Sequence, residues 1–376
     1  MQAISISTHG GPDVLRVVDL AIPTPTADQV LVRNYAIGVN FVDVQHRQGG
    51  IYAVALPLIP GIEAAGVVEA VGPGATAFRP GDRVAYAGYM GGDYAEYTLV
   101  VESHLFPVPD AIDFETAAAI SLQGITAHAL THQVYRVRPG DWVLIHAAAG
   151  GVGGLLLQIA KHLGARPIAA VSTEAKARFA REHGAEHAIL YSTDHIVHTI
   201  DRLTSGAGVH VAYDAVGRDT FDASLASLRK RGTLVIYGLS SGPVAPFDIN
   251  RLSGITPGSG RGSLSLIWAA ASHYIEDRQE LLAQTRAVFD LVQVGSLRPT
   301  IAGRLPLAPH AGRRVSRRGG PGASPARIAR RGRKTAVDPI GSLALGFLAR
   351  RGVTIVTRRL PTGPPQPLRP GRGHFQ

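Results

Sequence analysis

The chain has 376 residues, 45% of them hydrophobic, and a mean hydropathy of +0.10, which suits two globular domains with real cores. It contains no cysteine, so disulfides, thiolate chemistry and every Cys-ligated zinc site are excluded. The net charge of +10 is lopsided: residues 309–376 hold fourteen Arg, one Lys and one Asp, while residues 1–308 hold 23 basic and 27 acidic residues, so a nucleic-acid reading applies to the tail alone.

The N-terminus, MQAISISTHGGPDVL, lacks a basic flank followed by an apolar run, and no stretch approaches the ~18 apolar residues of a membrane span. A cytoplasmic protein without membrane contact is expected. Over the first hundred residues, short alternating runs at 29–33 (QVLVR), 65–71 (AGVVEAV) and 82–87 (DRVAYA) are punctuated by Gly72-Pro73 and Pro80-Gly81. Such spacing predicts a β-rich, partly barrel-like domain.

From Phe114 the pattern changes. Residues 114–135 read as helix, and an apolar strand follows the Pro139-Gly140 turn at 142–146 (WVLIH). Helix is expected at 152–163 and 174–183, with strands at 167–171, 187–190, 209–213 and 233–237. Repeated β–α–β units of this length imply an α/β, doubly wound parallel sheet. After Ser253 a Gly/Ser-rich stretch (254–263) leads to a further helix over 274–294.

The most informative segment is WVLIHAAAGGVGG, in which the strand runs into Ala147-x-x-Gly150-x-x-Gly153 and a helix. Small residues at this spacing permit a tight turn, a close backbone approach to a pyrophosphate, and close helix–strand packing. The helix start offers unpaired N–H donors to the phosphates. The spacing thus points to a dinucleotide held by Ala147, Gly150, Gly151, Val152 and Gly153. An NAD site usually has a carboxylate about 20 residues later, for the ribose 2′-hydroxyl. Here that neighbourhood is Ala170-Val171-Ser172-Thr173 without an acid, and Lys176 can meet a 2′-phosphate, so NADPH is expected.

Six separated motifs, HGGPDVL, IGVNFVD, GIEAAGVVEAVG, HAAAGGVG, YDAVGRDTF and GLSSG, resemble the zinc-free quinone oxidoreductase (zeta-crystallin-like) family of medium-chain dehydrogenases/reductases. The resemblance covers roughly residues 1–308. It implies a GroES-like catalytic domain from both chain ends (1–119 and 256–308), with a Rossmann NADPH-binding domain (120–255) inserted. It also implies that Asn40 and Thr126 lie near the nicotinamide, that Ser172, Lys176 and Tyr191 hold the 2′-phosphate end, and that Gly238 and Ser240 line the nicotinamide side. Zinc-dependent cousins carry an early Cys and a His before the glutamate matching Glu63; this chain has no cysteine, and Ile62 in that place.

Without a Lewis acid the substrate should carry its own electron sink, as a quinone or a conjugated enone does. Asn40 or Tyr52 could then bond the developing oxyanion and Arg47 could orient a polar substrate edge. The expected activity is NADPH:quinone reduction in a homodimer. The alternatives are an NADPH-dependent reductase of α,β-unsaturated carbonyls and a non-enzymatic NADPH- or RNA-binding protein.

The tail departs from the family after Leu307. Residues 309–376 are rich in Arg, Gly and Pro, with no apolar period in GRRVSRRGGPGASPARIARRGRK. Residues 332–339, GRKTAVDP, back-translated and shifted by one nucleotide, allow AGKLLLIP, which resembles the family's ending. A reading-frame shift and loss of the closing strand are the expectation; a basic arm or a disordered extension are the alternatives.

Overall fold

A computed structural model describes residues 1–52, 54–88, 92–255, 261–307 and 354–358. In the N-terminal part, β1 (Gln2–Ser5) pairs antiparallel with β2 (Arg16–Asp19). Next come β3 (Gln29–Val39), α1 (Phe41–Gln48), β4 (Glu63–Val71), β5 (Arg83–Ala87), β6 (Tyr97–Val101) and β7 (Leu105–Pro107). One edge of β3 pairs with β4; the other pairs with β6 along residues 29–33. The strand predicted at 29–33 therefore runs on to Val39, and Asn40 follows it directly, as the residue before α1.

Helix α2 (Phe114–Ala129) is Ala-rich and buried on most of its surface, and a π-helical turn continues it through Leu130–Val134. It packs on β3, β4 and β5 on one side and leads into the second sheet on the other. That sheet takes in β8 (Trp142–His146), then α3 (Gly151–His162), β9 (Arg166–Val171), α4 (Glu174–Glu182), β10 (His187–Leu190) and α5 (Ile196–Leu203). It is completed by β11 (Val209–Asp214), α6 (Phe221–Ala226), β12 (Leu228–Ile236) and β13 (Ser265–Trp268). All six strands are parallel, in the order β10-β9-β8-β11-β12-β13. The order reverses between β8 and β11, where open α/β sheets bind their ligands beyond the strand C-termini. Every residue of β8 is buried, as a central parallel strand requires.

Two sequence expectations need correction here. The parallel sheet does not end at residue 255: β13 lies beyond it, and its alternation in SLIW is short and preceded by a Gly/Ser-rich stretch that reads as loop. Order also does not fail throughout the tail. After α7 (Arg278–Gln293) and β14 (Ile301–Pro306), β15 (Thr354–Arg358) inserts between β14 and β3, parallel to the first and antiparallel to the second. It uses the edge of β3 along Ala36–Val39 that β6 leaves open, so a closing strand is present. The rest of the tail, including 332–339 and its frame-shift reading, lies outside the described residues.

Candidate active site

The turn after β8 has the geometry the small residues imply. Ala147 adopts a φ of 49°, a left-handed conformation that non-glycine residues seldom hold, and its carbonyl accepts from Gly150 N at 2.8 Å. Gly150 precedes α3, whose first three residues are Gly151, Val152 and Gly153. A Cβ on Gly153 would collide with the Ala147 carbonyl oxygen and lie 2.8 Å from Ala148 Cα. The third small residue is thus enforced by backbone packing. From Gly150 to Gly153 the start of α3 carries no side chain of its own except that of Val152, which suits a phosphate group.

At the next strand end, Lys176 Nζ lies 3.2 Å from Ser172 Oγ, while Thr173 caps α4 by accepting from Lys176 N. Tyr191 N donates to Val171 O at 3.1 Å, and Ser192 Oγ to Ser172 O at 3.4 Å. Ser172, Lys176 and Tyr191 therefore converge beyond β9 and β10, with the Tyr191 ring 49% exposed. Glu174, the first residue of α4, forms a 2.9 Å ion pair with Arg181.

On the facing side of the crevice, Asn40 is only 8% exposed. Its Nδ2 donates to Glu63 Oε1 at 2.6 Å, and its Oδ1 accepts from Gln123 Nε2 at 3.0 Å. Glu63 Oε2 accepts from Leu122 N at 2.6 Å. Thr126, one helical turn beyond Leu122, donates from Oγ1 to the Leu122 carbonyl at 2.7 Å. Helix α1 reaches across the crevice, where Gln45 Nε2 donates to Leu239 O at 3.4 Å, between Gly238 and Ser240. Ser240 N in turn bonds Ala215 O at the end of β11, and a Cβ on Gly238 would press on that same carbonyl at 2.9 Å.

Two of the expected substrate residues sit at the margin. Arg47 is 4% exposed, and its Nε donates to Gly10 O at 3.2 Å while Gly10 N donates back to Arg47 O. This contact fixes the N-terminal loop. Tyr52 is half-buried and meets His46 edge-on, with ring centroids 6.1 Å apart.

Sequence reasoning missed a set of buried polar groups. Asp43, Glu63 and Asp93 are all buried in the β-rich part. Asp43 Oδ2 accepts from Asn40 N and Tyr94 OH, but its Oδ1 has no partner. Burial outweighs those two bonds and lifts the Asp43 carboxyl to about 7; burial likewise lifts Glu63 to about 8, with the charge of Asp43 adding to it. In the unfolded chain both groups titrate near 4. Between about 4 and 8 the folded protein holds the extra protons, so its stability is greatest at the acid end of that window and falls as pH rises through it. Asp43→Asn keeps the acceptor and places an N–H₂ where Oδ1 stands unpaired. Thermal unfolding at pH 5.5 and pH 8 should show parent stability falling by about 5 kcal/mol, roughly 2 of it from Asp43, and the variant by correspondingly less. Equal slopes for the two proteins would contradict the burial effect.

Beneath the cofactor turn lies a second buried network. Asp214 Oδ2 accepts from Ser224 Oγ at 2.7 Å, and Ser224 Oγ lies 2.9 Å from His146 Nε2. Asp214 Oδ1 also accepts from Val216 N and Gly217 N, which shapes the turn after β11. All three side chains are fully buried, so this Asp–Ser–His array braces the switch point and offers no nucleophile to a ligand. Among the described residues, no group of three or more His, Asp or Glu is placed to hold a metal ion.

Comparison with known proteins adds the following. The family described as alcohol dehydrogenase GroES-like domain matches residues 26–110, and that described as zinc-binding dehydrogenase matches residues 151–276. A quinone oxidoreductase of Pseudomonas aeruginosa is 42% identical over 305 residues, covering 81% of this chain and 92% of its own. A 2-haloacrylate reductase of a Burkholderia species is 40% identical over 312 residues, covering 82% and 92%. The crystal structure of Escherichia coli quinone oxidoreductase complexed with NADPH matches with a TM-score of 0.82 at 33% identity, over 96% of this chain and all of the other. A mycobacterial protein complexed with NADPH matches with a TM-score of 0.81 at 38% identity, over 96% and 100%.

Proposed function

Because the chain belongs to the quinone oxidoreductase family of the medium-chain dehydrogenases/reductases, we propose that it reduces quinones at the expense of NADPH. One observation carries the reading: a turn of small residues at the start of α3 stands beside a Ser172–Lys176 pair at the end of β9, across the crevice from a buried asparagine oriented by two hydrogen bonds. NADPH, when bound, supplies a hydride from its nicotinamide. Gly150, Gly151, Val152 and Gly153 receive the pyrophosphate on the backbone N–H groups at the start of α3. Ser172, Lys176 and Tyr191 take the 2′-phosphate end, and Thr126, Gly238 and Ser240 flank the nicotinamide.

Asn40 has two amide hydrogens and Glu63 takes one, which leaves the other for the substrate oxygen that gains charge. Tyr52 is a second donor at the mouth. Arg47, pinned at Nε by Gly10, would orient a polar substrate edge through its terminal nitrogens. A quinone suits this donor set because hydride addition leaves an aromatic phenolate, which one hydrogen bond and a proton from water complete to the hydroquinone. The sequence lacks the Cys and His that bind zinc in the metal-dependent cousins, so the substrate itself must hold the charge.

The name of the Burkholderia relative favours a second reading, reduction of an alkene conjugated to a carbonyl. Steady-state NADPH oxidation with a naphthoquinone and with a small enone separates the two. The quinone is expected to have the higher kcat/KM by at least about tenfold; the reverse order would move the assignment to the enone class. Tight NADPH binding without turnover on either would leave a binding protein, and salt-dependent RNA binding lost on deleting 309–376 would assign that activity to the tail.

The same reading divides the chain into a catalytic domain (1–119 and the segment after β13) and a Rossmann domain between them. It also makes the protein a cytoplasmic homodimer. The outer edge of β13 supports the dimer: no further strand pairs with it among the described residues, and Trp268 on it is 51% exposed. Sedimentation should give twice the chain mass; a monomer at micromolar concentration would remove the dimer from the account.

A further inference from the structure

Gln123 is 6% exposed in the middle of α2, a helix that is otherwise apolar over most of its length. A buried carboxamide needs partners, and those of Gln123 come from both sides of the crevice. Its Nε2 donates to Asn40 Oδ1 at 3.0 Å. Its head lies against Gly151, the first residue of α3, so closely that a Cβ there would come within 2.5 Å of Gln123 Cδ and 2.9 Å of Nε2. The residue before it, Leu122, donates its N–H to Oε2 of Glu63, whose other oxygen holds the far end of the Asn40 amide.

These contacts define the orientation of Asn40. With Oδ1 receiving Gln123 and Nδ2 giving one hydrogen to Glu63, the amide cannot flip without breaking two buried hydrogen bonds. The same side chain bears on the first turn of the phosphate-binding helix. We infer that Gln123 is a positioning residue: it fixes the oxyanion-facing hydrogen of Asn40 and sets its spacing from the cofactor loop. The inference rests on the role proposed above for Asn40. Its energetic scale follows from the sensitivity of hydride transfer to placement, where an error of about 1 Å can cost ~100-fold.

The test uses the full chain with NADPH and a naphthoquinone. Gln123→Met keeps the volume and removes the bond to Asn40. It should lower kcat about tenfold or more, leave NADPH affinity within about threefold, and raise the primary isotope effect with NADPH deuterated at the transferred hydrogen, as hydride transfer becomes rate-limiting. Asn40→Ala should show a similar loss, and the double variant should be no slower than Asn40→Ala alone. Gln123→Glu can donate to Asn40 only when protonated, so its activity relative to the parent should fall as pH rises. A kcat for Gln123→Met within twofold of the parent, or losses that multiply in the double variant, would overturn the inference. So would NADPH affinity collapsing in step with kcat, or a flat pH ratio for Gln123→Glu. Absence of turnover in the parent would instead strike the functional reading on which Asn40 depends.

Discussion

Gly153→Ala is expected to weaken NADPH binding by about 100-fold or more. The added methyl meets backbone on every side: the Ala147 carbonyl oxygen, Ala148 Cα at 2.8 Å and Ala147 C at 3.0 Å. No side chain can turn away to make room, so the turn itself must move. That turn is already committed to a left-handed Ala147 and to the Gly150–Ala147 hydrogen bond. Its displacement spoils the aim of the N–H groups at the start of α3. Losing two hydrogen bonds to a charged phosphate costs on the order of 3 kcal/mol, which corresponds to the stated factor. Calorimetric titration reads the effect directly. Gly140→Ala serves as the control: its φ of 81° makes alanine unfavourable, but nothing lies within 4 Å of the new methyl. That variant should lose about 1 kcal/mol of stability and keep its NADPH affinity. If Gly153→Ala bound NADPH within threefold of the parent, the pyrophosphate would have to lie elsewhere.

Lys176→Glu should raise KM for NADPH by roughly 30- to 100-fold and change KM for NADH by no more than about threefold. The lysine sits 3.2 Å from Ser172 Oγ at the mouth of β9, where the 2′-phosphate is expected, and the substitution sets a like charge against that group. The figure corresponds to about 2–3 kcal/mol, the range of a hydrogen bond to a charged group lost without replacement. In the parent, Glu174 is paired with Arg181 at the surface. Equal changes in the two constants would mean that Lys176 does not face the 2′ position.

Much of this site could be read from the sequence because its parts are local. The turn from Ala147 to Gly153 is one continuous segment, and Ser172 and Lys176 stand one helical turn apart across the start of α4. The alternating sheet was legible for the same reason, since strands such as β8 and β9 are buried on both faces and read as apolar runs. What escaped is non-local. Gln123 matters because of Asn40, 83 residues earlier, and Leu122 because of Glu63, 59 residues earlier. One local signal could have found Gln123: α2 is too apolar to have a solvent face, so its one carboxamide had to find a partner inside. The buried carboxylates left no such trace, because Asp43 in the first turn of α1 and Glu63 at the head of β4 stand where acids usually face water. Strands β13 and β15 were missed for a different reason, as each is a short run beside Gly-, Ser- or Arg-rich sequence that carries no periodicity.

The strand ends of the parallel sheet are expected to bind a nicotinamide dinucleotide through its 2′-phosphate. Competitive titration of bound NADPH with adenosine 2′,5′-bisphosphate and with AMP tests this binding apart from the acceptor chemistry. The bisphosphate should displace NADPH at least about 30-fold more readily than AMP does, and NADPH should bind in preference to NADH by a similar factor. Equal competition by the two nucleotides, or no binding of NADPH at all, would contradict it.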